Sequence, residues 1–245
     1  MSHHIVEVRD MGFIYPDKTE ALKGVSFRIM HGESVAIIGA NGSGKSTLLL
    51  HLNGCLMPTR GEVRIGEMPL TRQTVVAARR AVGMVFQDPD DQLFMPTVFE
   101  DVAFGPVNAG LPAGEVERCV ALALERVGMV HLKDRPPYRL SAGEKRAVTI
   151  ATVLAMAPDI LVMDEPSANL DPRGRRRLIG LLKSFEHTRI IATHDLELVV
   201  EVCSRAIVLD EGRVVADGPA LEILDNEQLM LAHGLERPFS FRSKA

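Results

Sequence analysis

The stretch Gly39-Ala40-Asn41-Gly42-Ser43-Gly44-Lys45-Ser46-Thr47 constrains this chain more than any other. It fits the pattern G-x-x-x-x-G-K-[ST] at Gly39, Gly44, Lys45 and Ser46. An apolar run, Ser34 to Ile38, precedes it, and Leu48-Leu49-Leu50 follows. That is strand, glycine loop and helix, the context in which the pattern carries meaning. Glycines let the backbone turn sharply enough for successive N–H groups to converge on one anion. The helix N-terminus adds partial positive charge. In such a loop Lys45 reaches the β- and γ-phosphates of a nucleotide, and the Ser46 hydroxyl binds Mg²⁺. Asn41, Gly42, Ser43 and Thr47 complete the expected cradle. An ordinary glycine turn is the bland alternative, and the flanking strand and helix argue against it.

The bulk numbers bound the class. A chain of 245 residues forms one large domain, or one domain with subdomains. Hydrophobic residues make up 46% and charged residues 24%, the balance of a soluble globular protein. The net charge is −4, Trp is absent and aromatics are 4%, which argues against a nucleic-acid binder. Cys55, Cys119 and Cys203 stand far apart with no C-x-x-C, as expected of thiols in a reducing compartment. The start, Met1-Ser2-His3-His4, lacks the charged and apolar regions of a secretory signal. No run approaches the ~20 apolar residues of a membrane span. The expectation is a cytoplasmic protein that would serve a membrane only by docking on partners.

Periodicity orders the rest. Ile5–Val8, Gly24–Ile29, Gly61–Gly66 and Ala81–Phe86 read as strands, the last leading to Gln87. Glu115–Val127 has helical spacing, with Gly128 as its C-cap. A long helix is expected from Ser141 to Ala157, ended by Pro158. Then come an apolar strand Ile160–Met163, a helix Arg175–Phe185, a strand Arg189–Ala192 and a helix Leu196–Val202. A hairpin Ala206–Leu209 and Gly212–Val215 turns at Asp210-Glu211. Apolar strands separated by helices predict a mostly parallel sheet covered on both faces. The tail from Glu236 shows no clear structure, and there is no internal repeat.

Two further segments carry chemistry. Ile160–Met163 ends in Asp164-Glu165, which resembles the Walker B pattern. At the C-terminal end of a parallel strand Asp164 would hold Mg²⁺ through water, and Glu165 would orient or deprotonate an attacking water. Leu140-Ser141-Ala142-Gly143-Glu144 opens the long helix, with Ser141 and Glu144 spaced as a capping box. Capping alone would explain that segment.

The order decides otherwise. A phosphate loop, Gln87 after a strand, LSAGE, MDEPSANLD and Thr193-His194-Asp195 together resemble the nucleotide-binding subunit of ABC transporters, from about Ile5 to about Leu224. The resemblance implies an α/β phosphate-loop NTPase fold. Its parts would be a RecA-like, mostly parallel sheet, an N-terminal antiparallel β subdomain and an inserted α-helical subdomain. Residues 1–235 would form the ATPase domain, with the core and β subdomain in 1–87 and 158–222 and the helical subdomain in 88–157. Residues 223–245 would form a C-terminal helix and tail. ATP and Mg²⁺ are the implied ligands, with Ser46, Gln87 and Asp164 at the metal.

By the same resemblance Lys45, Gln87, Glu165 and His194 serve catalysis, and Tyr15 stacks on adenine. Ser141, Ala142, Gly143 and Glu144 form the signature that completes an ATP site in a second subunit, a homodimer being expected. Asp171 lies in the loop linking the two sites. Ala142 and Glu144 depart from the usual LSGGQ. The methyl tests the clearance for phosphate, and the acid adds negative charge beside it. Phe86-Gln87-Asp88-Pro89-Asp90-Asp91-Gln92-Leu93-Phe94 and Glu100–Pro106 resemble energy-coupling factor importers, most of all the cobalt or nickel importer ATPases, the CbiO-like proteins. Asp88, Asp90, Asp91 and Glu100 would then meet arginines of a transmembrane scaffold that works with a substrate-binding membrane subunit. A polar turn also explains the first three acids. The expected place is the cytoplasmic face of the membrane, as a peripheral subunit. A vitamin as cargo, or a soluble non-transport ABC ATPase, stays open. A phosphate-loop kinase would not need Ser141–Gly143 and His194, and a GTPase would want a base-reading N-K-x-D motif that is absent. His3, His4, His51, His131, His187 and His233 show no ligand spacing. Arg173 and Arg175–Arg177 read as a solvated helix face.

Overall fold

The structure, a computed structural model, describes residues 4–242. Its N-terminal sheet combines β1 (His4–Ile14), β2 (Glu20–Met30), β4 (Arg60–Ile65) and β5 (Met68–Pro69) in the order β2-β1-β4-β5. All its pairs are antiparallel. The second sheet combines β3 (Ser34–Ile38), β6 (Val82–Val85), β7 (Ile160–Asp164), β8 (Thr188–Ala192), β9 (Arg205–Asp210) and β10 (Arg213–Pro219). Its order is β10-β9-β3-β8-β7-β6, parallel throughout except for the hairpin partner β10.

Side-chain alternation explains why the central strands are apolar without interruption. Ala36 and Ile38 of β3 enter one core, and Val35 and Ile37 enter the other. In β7 Leu161 and Met163 face the first core while Ile160 and Val162 face the second. Both faces of the sheet are therefore covered, as the parallel pattern predicts. The first core is closed by α3 (Val98–Asn108), α4 (Ala113–Val127), α5 (Ala142–Leu154), α6 (Pro172–Ser184) and α7 (Leu196–Val202). The second is closed by the antiparallel sheet, α1 (Lys45–Leu52) and α2 (Val75–Ala81). Each fully buried Leu or Ile contributes about 1.5–3 kcal/mol, so the site rests on a rigid sheet.

The chain departs from the pattern at element ends. Helix α5 stops at Leu154, not Ala157, because Ala157 is left-handed (φ 46°) and turns the chain before Pro158. Helix α6 begins at Pro172, three residues before the periodicity shows it, with the Asp171 side chain accepting from the Gly174 N–H at 2.6 Å. Beyond the hairpin lie α8 (Ala220–Asp225), α9 (Glu227–Ala232) and the short α10 (Phe239–Arg242), where no structure was expected past Glu236. Arg175 is only partly exposed: it pairs with Asp195 at 3.2 Å and Glu201 at 2.8 Å. His3 and the His4 side chain lie outside the described residues. Among the described residues no helix is long and apolar enough to cross a membrane.

Candidate active site

The phosphate loop leaves β3 at Ile38 and enters α1 at Lys45. Gly42 and Gly44 sit at φ 80° and 105°, a region that strains L side chains. Gly39 is required for space instead. A Cβ there would lie 2.1 Å from the Leu209 carbonyl oxygen and 2.6 Å from Ser43 Oγ. Lys45 Nζ donates to the carbonyls of Gly39 (2.8 Å) and Ala40 (3.0 Å), so it is curled against its own loop. Burial lowers its pKa, and the charges of Glu165 and Asp164 oppose that shift.

Strand β7 delivers the two acids. Burial pushes the Asp164 carboxyl up, and the hydrogen bond to the Ser46 hydroxyl acts against it. Its Oδ1 is buried with no hydrogen-bond partner among the described residues. An orphaned carboxylate oxygen beside a hydroxyl is the donor set that a hydrated hard cation needs. Ser46 and Asp164 therefore fit Mg²⁺, with Gln87 at the same cleft. Glu165 follows at φ 45°, a strained value for a non-glycine residue, its N–H bonded to the Ala192 carbonyl at 2.8 Å. Its carboxylate accepts from Thr193 Oγ1 (3.0 Å), from the His194 N–H (3.1 and 3.3 Å) and meets His194 Nδ1 at 2.8 Å.

A cleft of about 540 Å³ joins these groups. Tyr15, Asn41, Gly42, Gly44, Lys45, Ser46, Thr47, Gln87, Asp164 and Glu165 all line it. Gly39 and Ser43 shape the loop behind it. The Tyr15 hydroxyl bonds Thr47 Oγ1 at 2.9 Å, and its ring stands edge-on to Phe13. The sequence reading missed Glu211-Gly212, the tip of the β9–β10 hairpin, which also lines the cleft; the Gly212 N–H bonds the Ser43 carbonyl at 3.0 Å.

The signature residues are elsewhere. Ser141, Ala142, Gly143, Glu144 and Asp171 line a second cavity of about 650 Å³, and none of them lines the phosphate cleft. The capping box is present. Glu144 Oε2 accepts from the Ser141 N–H (2.8 Å) and hydroxyl (2.9 Å), which holds the Glu144 carboxyl below its ordinary pKa.

Of the four acids near Gln87, three have partners within the chain. Asp88 accepts from the Asp90 N–H at 2.9 Å, Asp90 pairs with Lys145, and Glu100 accepts from the Thr97 hydroxyl at 2.8 Å. Asp91 is exposed. Arg146, which no motif flagged, is buried in α5 and donates to the carbonyls of Phe86 (2.7 Å) and Gln87 (2.5 Å).

The sequence and fold match an established group of proteins. The ABC transporter family profile covers residues 22–168. This chain belongs to the ABC transporter ATPase family. A relative in Geobacter sulfurreducens, provisionally named an ABC transporter ATP-binding protein, is 66% identical over 99% of this chain and 97% of its own. An energy-coupling factor transporter ATP-binding protein, EcfA, of Methanocaldococcus jannaschii is 45% identical over 96% of this chain and 86% of its own. The solved structure of CbiO1 from Clostridium perfringens, described as part of the ABC transporter complex CbiONQ, is 42% identical with a TM-score of 0.82, covering 94% of each chain. The ABC ATPase fold expected from the motif order is the fold observed, and the chain is an ATP-hydrolysing, ATP-binding subunit of an ABC transporter.

Proposed function

We propose that this subunit powers an importer of the energy-coupling factor type as a homodimer on the cytoplasmic face of the membrane. Its cargo would be a transition-metal ion, cobalt first and nickel next. The observation that carries the dimer is the separation of the two cavities: Lys45 and Ser46 line one, Ser141 and Gly143 the other. One chain holds two half-sites, and a head-to-tail second copy makes both whole. The N-terminal end of α5, with Ser141 and the Gly143 N–H, would then meet the γ-phosphate held by the partner copy. Tyr15 would stack on adenine, and Asp171 would link the two sites.

Hydrolysis asks little covalent chemistry of the protein. Lys45 would leave the Gly39 and Ala40 carbonyls for the β- and γ-phosphates. Glu165, already anchored, would orient and deprotonate the attacking water, and His194 would reach the γ-phosphate. Bound Mg²⁺, held by Ser46 and Asp164 with Gln87, would neutralise charge on the phosphate oxygens. The importer type is supported by the likeness to EcfA and CbiO1, the cargo by the resemblance of Phe86–Phe94 and Glu100–Pro106, and scaffold docking by the exposed Asp91.

Glu165→Gln should abolish turnover, a loss of about 10²-fold or more, while keeping ATP binding and trapping a dimer in size-exclusion chromatography. A monomer in saturating ATP would sink the composite site. Metal uptake by the complex that co-purifies with the subunit tests the cargo, and vitamin uptake in its place would replace the metal.

A further inference from the structure

We propose that Thr193 is the positioning residue that keeps the Glu165 carboxylate in place for water when His194 turns away from it; this rests on the assignment of Glu165 as the base. Thr193 follows the last residue of β8 and has no exposed surface. Its Oγ1 accepts the Asp195 N–H at 3.0 Å, which directs its own proton to Glu165 Oε2, also at 3.0 Å. A β-branched side chain holds few rotamers, so the hydroxyl has little freedom to turn away.

The two carboxylate oxygens are consequently unequal. Oε2 is met by the Thr193 hydroxyl, by His194 Nδ1 at 2.8 Å and, at 3.3 Å, by the His194 N–H. Among the described residues Oε1 receives only that shared N–H, at 3.1 Å. A carboxylate oxygen carries about two acceptor sites, so Oε1 keeps room for a water proton. The His194 side chain is 69% exposed and free to swing toward a phosphate. Once it swings, the Thr193 hydroxyl and the backbone N–H remain as the supports of the carboxylate. Asp195, which sets the hydroxyl, is itself tied to α6 by Arg175 (3.2 Å) and caps α7 through the Leu198 N–H (2.9 Å). The orientation of the base is thereby anchored in two helices rather than in the exposed His194 ring.

The experiment compares Thr193→Val, which keeps shape and loses the hydroxyl as donor to Glu165 and as acceptor of the Asp195 N–H, with Thr193→Ser, which keeps both. We expect Thr193→Val to lower kcat on the order of 10-fold, the rate equivalent of one hydrogen bond to a charged group, with KM for MgATP unchanged and the melting temperature lowered by a few degrees, because the Asp195 N–H also loses its acceptor. Thr193→Ser should restore most of the rate. Single-turnover measurements in a Glu165→Gln background should show no more than about a twofold further loss on adding Thr193→Val, because interactions within one unit are non-additive. Should Thr193→Val not fold, Thr193→Ala is read in the same way. Full activity of Thr193→Val, or losses that multiply with Glu165→Gln, overturns the role of Thr193 alone. Retained turnover in Glu165→Gln overturns the base itself.

Discussion

Adding one methyl group to the signature helix should separate folding from function. Gly143 is the second residue of α5, and a Cβ built there meets only Leu170 Cδ2, at an ordinary 3.8 Å. Within one chain Gly143→Ala has room. Alanine outranks glycine in a helix interior by about 1 kcal/mol, and roughly half of that is expected in a first turn. For a chain of this size the melting temperature should rise by roughly 1–2 °C. In the proposed dimer the same methyl would stand between the Gly143 N–H and the γ-phosphate of the partner copy. Losing one hydrogen bond to a charged group is worth about 1.5–3 kcal/mol, which lowers kcat/KM by roughly 10- to 100-fold. Thermal unfolding of the nucleotide-free protein and steady-state ATP hydrolysis measure the two effects. Adding Gly143→Ala to Glu165→Gln, with dimer formation followed against ATP concentration, shows whether the loss lies in closure. A stabilised and fully active variant would refute the meeting of this face with ATP. A destabilised one would refute the open space at Gly143.

Three other outcomes are expected. Gly39→Ala puts a methyl 2.1 Å from the Leu209 carbonyl oxygen, so the loop must shift at a cost of about 2 kcal/mol or more; fluorescent-nucleotide titration should show weakened binding, and parent affinity would contradict the close packing. The hydrogen bonds from Ser141 hold Glu144 below its ordinary 4.5, so the stability it lends is complete above that value and is lost as pH falls through the depressed folded value; Glu144→Gln should flatten the dependence of melting temperature on pH between about pH 5 and 3, and parallel curves would refute the capping charge. Asp91→Lys should stop membrane subunits from co-purifying with this chain, and retained association would return Asp91 to plain turn chemistry.

The phosphate loop, the acids after β7 and the capping box were legible because each is local. Strand, loop and helix are adjacent in sequence, and Ser141 reaches Glu144 across one turn. The contacts around Glu165 were not legible, because they depend on strand order. Glu165 meets Thr193 and His194 only because β7 and β8 are parallel neighbours in a register that places Asp164 beside Ala192. The same order, with β9 beside β3, brings the hairpin tip at Gly212 onto the phosphate loop. Arg146 was missed for a second reason. A helical arginine after a cap reads as solvated, and nothing local says that the carbonyls it seeks lie some 60 residues earlier. Asp90 looked free for a partner until α5 placed Lys145 against it.

The Arg146 guanidinium has a mechanical consequence. It is 3% exposed and is held by two uncharged carbonyls at the end of β6, not by a carboxylate. Pulling α5 away from Phe86 and Gln87 would strand a buried cation without acceptors, which is costly. Gln92 ties the same parts, taking the Phe86 N–H at 3.1 Å and giving its amide to Thr152 at 2.8 Å. The Gln87 segment and α5 are therefore tied together at both Arg146 and Gln92. In the proposed dimer, a push where a membrane partner would dock would be passed through α5 toward the phosphate held by the other copy.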